Sequence, residues 1–140
     1  MPPDAAAPRP NAGRRAGPVA HVLACEQETR GPLQRLLEQL RVTMKMCHSL
    51  EDALRETGRD HFDAAIVSVG RECVAAAGLL QLLRRVMPRT PIVLVLDDPS
   101  PAARLATLVV RPFYVAVPPV SPEEMAAVMR DVVAAGRKQA

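Results

Sequence analysis

Between residues 19 and 138, short unbroken apolar runs alternate with stretches in which leucine, valine or methionine recurs every three or four positions. The run Ala64-Ala65-Ile66-Val67-Ser68-Val69 shows no polar alternation, the pattern of a strand covered on both faces by helices. Val19 to Cys25 has the same character and predicts a first strand, closed by the polar turn Glu26-Gln27-Glu28-Thr29. From Pro32, leucines 33, 36, 37 and 40 keep helical spacing, which predicts a helix to about Leu40 with proline in its first turn. Arg41 to Cys47 sets Val42, Met44 and Met46 against Thr43 and Lys45, as a half-exposed edge strand does. Ser49-Leu50-Glu51-Asp52 is a variant capping box that opens a second helix to about Thr57, ended by Gly58.

After Gly70 a loop with Arg71, Glu72 and Cys73 leads into a third helix through Leu79, Leu80, Leu82, Leu83 and Val86. Pro88 and Pro91 stop it and introduce a second buried strand, Ile92 to Leu96. Asp97, Asp98 and Ser100 supply caps for a fourth helix, Pro101 to Val109, and Phe113 to Val117 predicts a last strand. Ser121-Pro122-Glu123-Glu124 is a full capping box. It starts a fifth helix whose buried stripe is Met125, Val128, Met129, Val132 and Val133, and which Gly136 closes.

Five strands alternating with five helices predict an α/β doubly wound fold: a parallel five-stranded sheet in the order 2-1-3-4-5, helices on both faces. Ser68 then stands at the carboxyl end of the central strand, where such sheets place ligands. Residues 1–18, with five prolines and no periodic apolar face, predict a disordered arm ahead of a domain over 19–138.

Composition narrows the function. The net charge is +3, and two of those charges lie in the arm, from Arg9, Arg14 and Arg15 against Asp4. Phe62, Phe113 and Tyr114 are the only aromatics, so neither a basic footprint nor stacking platforms argue for nucleic acid. Cys25, Cys47 and Cys73 form no CxxC and read as reduced thiols of a cytoplasmic protein, while His21, His48 and His61 stand alone, so no metal site is expected. Val22-Leu23-Ala24-Cys25 has the form of a lipoprotein cleavage box. The apolar run before it is short and carries Pro18, and cleavage would remove a strand, so no membrane attachment is expected.

Phe62-Asp63 before the central strand, Arg84-Arg85-Val86-Met87-Pro88-Arg89-Thr90-Pro91-Ile92-Val93 and Pro119-Val120-Ser121-Pro122-Glu123-Glu124-Met125 make residues 19–138 resemble the receiver domain of bacterial two-component response regulators, the CheY-like fold. Receivers transfer a phosphoryl group to an aspartate beside magnesium, a hard cation held by oxygen ligands. The resemblance places the family's acidic pair at Glu26 and Gln27, its acceptor at Ser68, its hydroxyl residue at Leu96, its aromatic switch at Val115 and its lysine at Pro118, with Pro119 as the cis proline. Counting the acidic pair as one, all five chemical positions have changed, although Glu26 keeps one acid of the pair and Pro119 is retained. The resemblance therefore implies a pseudo-receiver without enzymatic activity, cofactor or metal.

A receiver's working surface is its fourth helix, last strand and fifth helix. Here it would carry Leu105, Leu108, Val109, Arg111, Phe113, Tyr114 and Met129. Aromatic residues and arginine anchor interfaces, so the expected function is a stand-alone, phosphorylation-independent module that binds a protein partner or forms a homodimer through that surface. Two other classes stay open: a small-molecule binder using the crevice bounded by Glu26, Ser68, Gly70 and Asp97, and a hydrolase built on Ser68 or Cys73.

Overall fold

The computed structural model describes residues 19–27, 31–69, 77–96 and 101–139. The predicted arm lies outside them, as do Gly70, Glu72, Cys73 and Asp97. Ten elements alternate: β1 (Ala20–Cys25), α1 (Pro32–Glu38), β2 (Val42–Cys47), α2 (Leu50–Thr57), β3 (Ala64–Val69), α3 (Ala77–Val86), β4 (Ile92–Leu96), α4 (Pro101–Val110), β5 (Tyr114–Ala116) and α5 (Pro122–Gln139). All strand pairs are parallel and the sheet runs β2-β1-β3-β4-β5, the order expected from the sequence.

The absence of alternation in the central strands has a direct cause, because both faces of the sheet are buried. Leu23, Cys25, Ala65, Val67, Val69, Ile92 and Leu94 point to one side and pack with residues of α2, α3 and α4. Val22, Ala24, Ala64, Ile66, Val93 and Val95 point to the other and pack with α1 and α5. On β2, Val42, Met44 and Met46 lie against the second cluster while Thr43 and Lys45 are exposed, as an edge strand requires.

Two of the expected caps form, while Asp97, Asp98 and Ser100, expected to cap α4, lie outside the described residues. Ser49 Oγ accepts the Asp52 amide at 3.1 Å, and Ser121 Oγ accepts the Glu124 amide at 3.0 Å. α1 stops two residues earlier than its leucine spacing suggested, with Gln39 as its C-cap. β5 is only three residues long, entered by a bond from the Phe113 amide to the Ile92 carbonyl (2.8 Å) and followed by a cis Pro118–Pro119 peptide.

Two expectations need correction. Gly136 does not close α5, which continues to Gln139. A Cβ at Gly136 would collide with the Asp63 carbonyl oxygen, so the glycine serves a close approach of helix to loop rather than a helix end. Met129 is 3% exposed and belongs to the buried stripe of α5, not to an outward surface, because it packs with Met125, Val128 and Val132 over the sheet.

Candidate functional site

The carboxyl ends of the parallel strands bring Glu26, Ser68 and Pro118 to one crevice of about 460 Å³, walled mainly by Leu33, Leu36, Val95, Val120 and Met125. Glu26 is the buried acid there, 5% exposed. Its backbone N–H donates to the Cys47 carbonyl at 2.9 Å, which ties the end of β1 to that of β2. Its carboxylate accepts two amides from the first turn of α1: Leu33 N–H to Oε2 at 3.0 Å and Gln34 N–H to Oε1 at 3.1 Å.

Those amides have no partner within the helix, and the N-cap residue Gly31 has no side chain to offer. Glu26 therefore does the work of a capping residue from outside the helix, with the favourable charge for that end of the dipole. Gly31 is fitted to this arrangement, since a Cβ there would lie 2.5 Å from Glu26 Cδ.

The other positions scatter. Gln27 is exposed, and it is not part of the crevice lining. Ser68 is half-buried and pairs in register with Val95 of β4. Leu96, where a hydroxyl would follow a phosphoryl group, is packed against the cluster under α3 and α4. Val115 is half-buried opposite Leu94. Among the described residues no three His, Cys, Asp or Glu side chains come close enough together to hold a metal ion.

Sequence reading missed His48. It follows β2 and its Nδ1 lies 2.8 Å from the Glu26 carbonyl oxygen, although it does not line the crevice. The strand pairing of Cys25 with Cys47 is what delivers it there, and that register is not visible in either strand alone. Arg84 was missed as well. Its Nε donates to the Val110 carbonyl at 2.8 Å, Nη1 to those of Met87 (3.0 Å) and Thr90 (2.9 Å), and Nη2 to that of Arg111 (3.4 Å). This one guanidinium clamps the ends of α3 and α4, and burial, then the charge of Arg111, lowers its pKa.

On the α4 and β5 side, Leu105, Leu108, Phe113 and Tyr114 are exposed, Leu108 to 75%. Val109 is half-buried against the core. Arg111 is exposed with φ at 51°, a left-handed backbone that favours glycine. The Tyr114 hydroxyl donates to Glu124 Oε2 at 2.8 Å, joining β5 to α5. That bond is the first cause of a raised Tyr114 pKa, ahead of desolvation and the carboxylate charge.

The five parallel strands and their order match a known fold. The fold is that of CheY-like receiver domains. The receiver domain of an HD domain-containing protein from Pseudomonas fluorescens Pf-5 superimposes with a TM-score of 0.74 at 18% identity, over 86% of this chain and 98% of that one. A CheY-like receiver from Methanospirillum hungatei JF-1 gives 0.74 at 14% identity, over 87% and 99%. A putative pilus assembly-related protein from Burkholderia pseudomallei K96243 gives 0.70 at 19%, over 84% and 91%. No family model matches the chain, and no curated protein matches it in sequence. No helix among the described residues of this receiver-like domain is long and apolar enough to cross a membrane.

Proposed function

We propose that this receiver-like domain is a protein-interaction module that works without phosphoryl transfer, metal or enzymatic turnover. The observation that carries the reading is the commitment of Glu26, whose two carboxylate oxygens are bonded to amides of α1. Ser68 brings no carboxylate, and the side chains of Pro118 and Leu96 bring no donor for an anion. A hydrolytic role for Ser68 has little support, since no imidazole or amine lines the crevice among the described residues and the Glu26 carboxylate is engaged.

The test is an amide spectrum recorded with magnesium and beryllofluoride. It is expected to remain unchanged, and site-specific shifts around Ser68 would refute the reading.

Binding then falls to the surface of α4 and β5. Leu105, Leu108 and Tyr114 present apolar and aromatic groups outward, which is the composition of an interface centre. The partner is a protein or a second copy of the chain, docked across α4, β5 and the exposed side of α5. Leu108→Glu places a charge in the middle of that patch. It is expected to weaken association at least a hundredfold, about 2.7 kcal/mol, in sedimentation equilibrium or partner capture, with Tyr114→Ala weakening it less.

A second reading rests on the crevice itself. Its volume of about 460 Å³ and its apolar walls suit a small organic molecule, with Arg35, Gln39 and Ser68 as the polar contacts. A thermal-shift screen of acidic metabolites separates this reading from the first.

A further inference from the structure

At the opposite end of the sheet from Ser68, where β4 begins and α4 ends, lies a second hollow of about 420 Å³. Three arginines, Arg84, Arg89 and Arg111, line it together with Thr90 and Phe113, and among the described residues no carboxylate is in the lining. We infer that this hollow binds a nucleoside phosphate, the phosphoryl group held by the three guanidinium groups and the base laid on the ring of Phe113.

The charge is what asks for a ligand. Arg84 gives four of its five N–H donors to backbone carbonyls. Those partners fix its plane but are dipoles rather than anions, so its positive charge is left without a counter-ion in the lining, and one Nη2 N–H remains. Arg111 adds a like charge in the same hollow, and the two repel. A phosphate, with several acceptor oxygens and up to two negative charges, relieves that repulsion and matches the forked donors of arginine.

Two further features fit. Arg111 holds a left-handed backbone at φ 51°, which a glycine would adopt without a Cβ penalty. Arg111 lines the hollow at the end of α4, beside Arg84. Phe113 is 47% exposed and belongs to the same lining, so apolar ring surface is accessible next to the cations. A planar base stacks on such a face whatever its identity. The size of the hollow lies within the range of small-ligand sites.

The hollow borders the proposed interaction surface and shares Arg111 and Phe113 with it, but Leu108 is not in its lining, so the two readings fail separately: Leu108→Glu should leave nucleotide binding untouched. The experiment is an amide NMR titration of the full chain with adenosine and guanosine 5′-diphosphates, alongside inorganic phosphate and adenosine. Saturable shifts at Thr90, Phe113 and Ala135 are expected, with the nucleotides binding about tenfold more tightly than inorganic phosphate. Arg89→Ala and Arg111→Gly should each weaken nucleotide binding about tenfold or more, and Phe113→Ala should bring it down to the level of phosphate.

Arg111→Gly is the decisive variant, because glycine suits that backbone and the melting temperature should be kept or raised. Lost binding with a kept fold supports the site. Failure of both nucleotides to saturate at millimolar concentration, phosphate binding as tightly as they do, or unchanged binding in Arg111→Gly would overturn it.

Discussion

Replacing Glu26 with alanine should destabilise the domain by about 3 kcal/mol, because it strips acceptors from two helix-terminal amides in a largely apolar site. The Leu33 amide is buried, and the Gln34 amide partly so, and both now end on the carboxylate. Gly31 offers them nothing in its place. Glu26→Gln keeps one amide acceptor and turns an NH2 toward the other donor, so it should cost about half as much. Urea midpoints at fixed m-value read both. A cost for Glu26→Ala within about 0.5 kcal/mol would mean that water in the crevice serves the amides equally well. The carboxylate would then be available for chemistry, and the case against metal binding would weaken with it.

The contrast between this glutamate and its neighbours marks how far a sequence reads. The unbroken apolar runs of β1, β3 and β4 made a doubly covered parallel sheet legible, since only burial on both faces removes alternation. Local capping was equally readable at Ser49 and Ser121, where donor and acceptor are three residues apart. Glu26 was different. Its place after the first strand suggested a remnant of a metal site, but its partners are backbone amides seven and eight residues away, which carry no side-chain signature.

Arg84 was hidden for the same reason, as all four of its acceptors are carbonyls. Met129 fits two readings by spacing alone, one within the buried stripe and one on the working face, and packing against the sheet selects the first. Leu82 and Val86 stand one turn apart on α3 and are exposed. A leucine-rich run does not reveal which of its members point outward. Its neighbour α4 carries the exposed Leu105 and Leu108, so the apolar surface is broader than the sequence suggested.

Glycine to alanine should act with opposite sign at two helical positions. Gly136 lies inside α5, and an added Cβ would overlap the Asp63 carbonyl oxygen, with the Pro91 ring 3.2 Å away. Asp63 cannot easily yield. Its amide donates to the His21 carbonyl at 2.8 Å, and its Oδ2 accepts the His21 amide at 2.9 Å, holding the loop before β3 to β1. Arg137 Nε stands 3.9 Å from that carboxylate, so the same loop is braced against the last turn of α5.

The helix has to shift instead, which loosens Met129 and Val132 in the core, and Gly136→Ala should cost about 3 kcal/mol and lower the melting temperature by roughly 10 °C. Gly78, near the start of α3, has nothing within 4 Å of the position a Cβ would take. There the substitution should stabilise by about 0.5 kcal/mol, because alanine loses less backbone entropy on folding. Helix propensity alone favours alanine at both sites, so a gain at both would show that the approach of α5 to Asp63 is not a tight one. The opposite signs expected here follow only if that contact fixes the helix, and with it the placement of Glu124 against Tyr114.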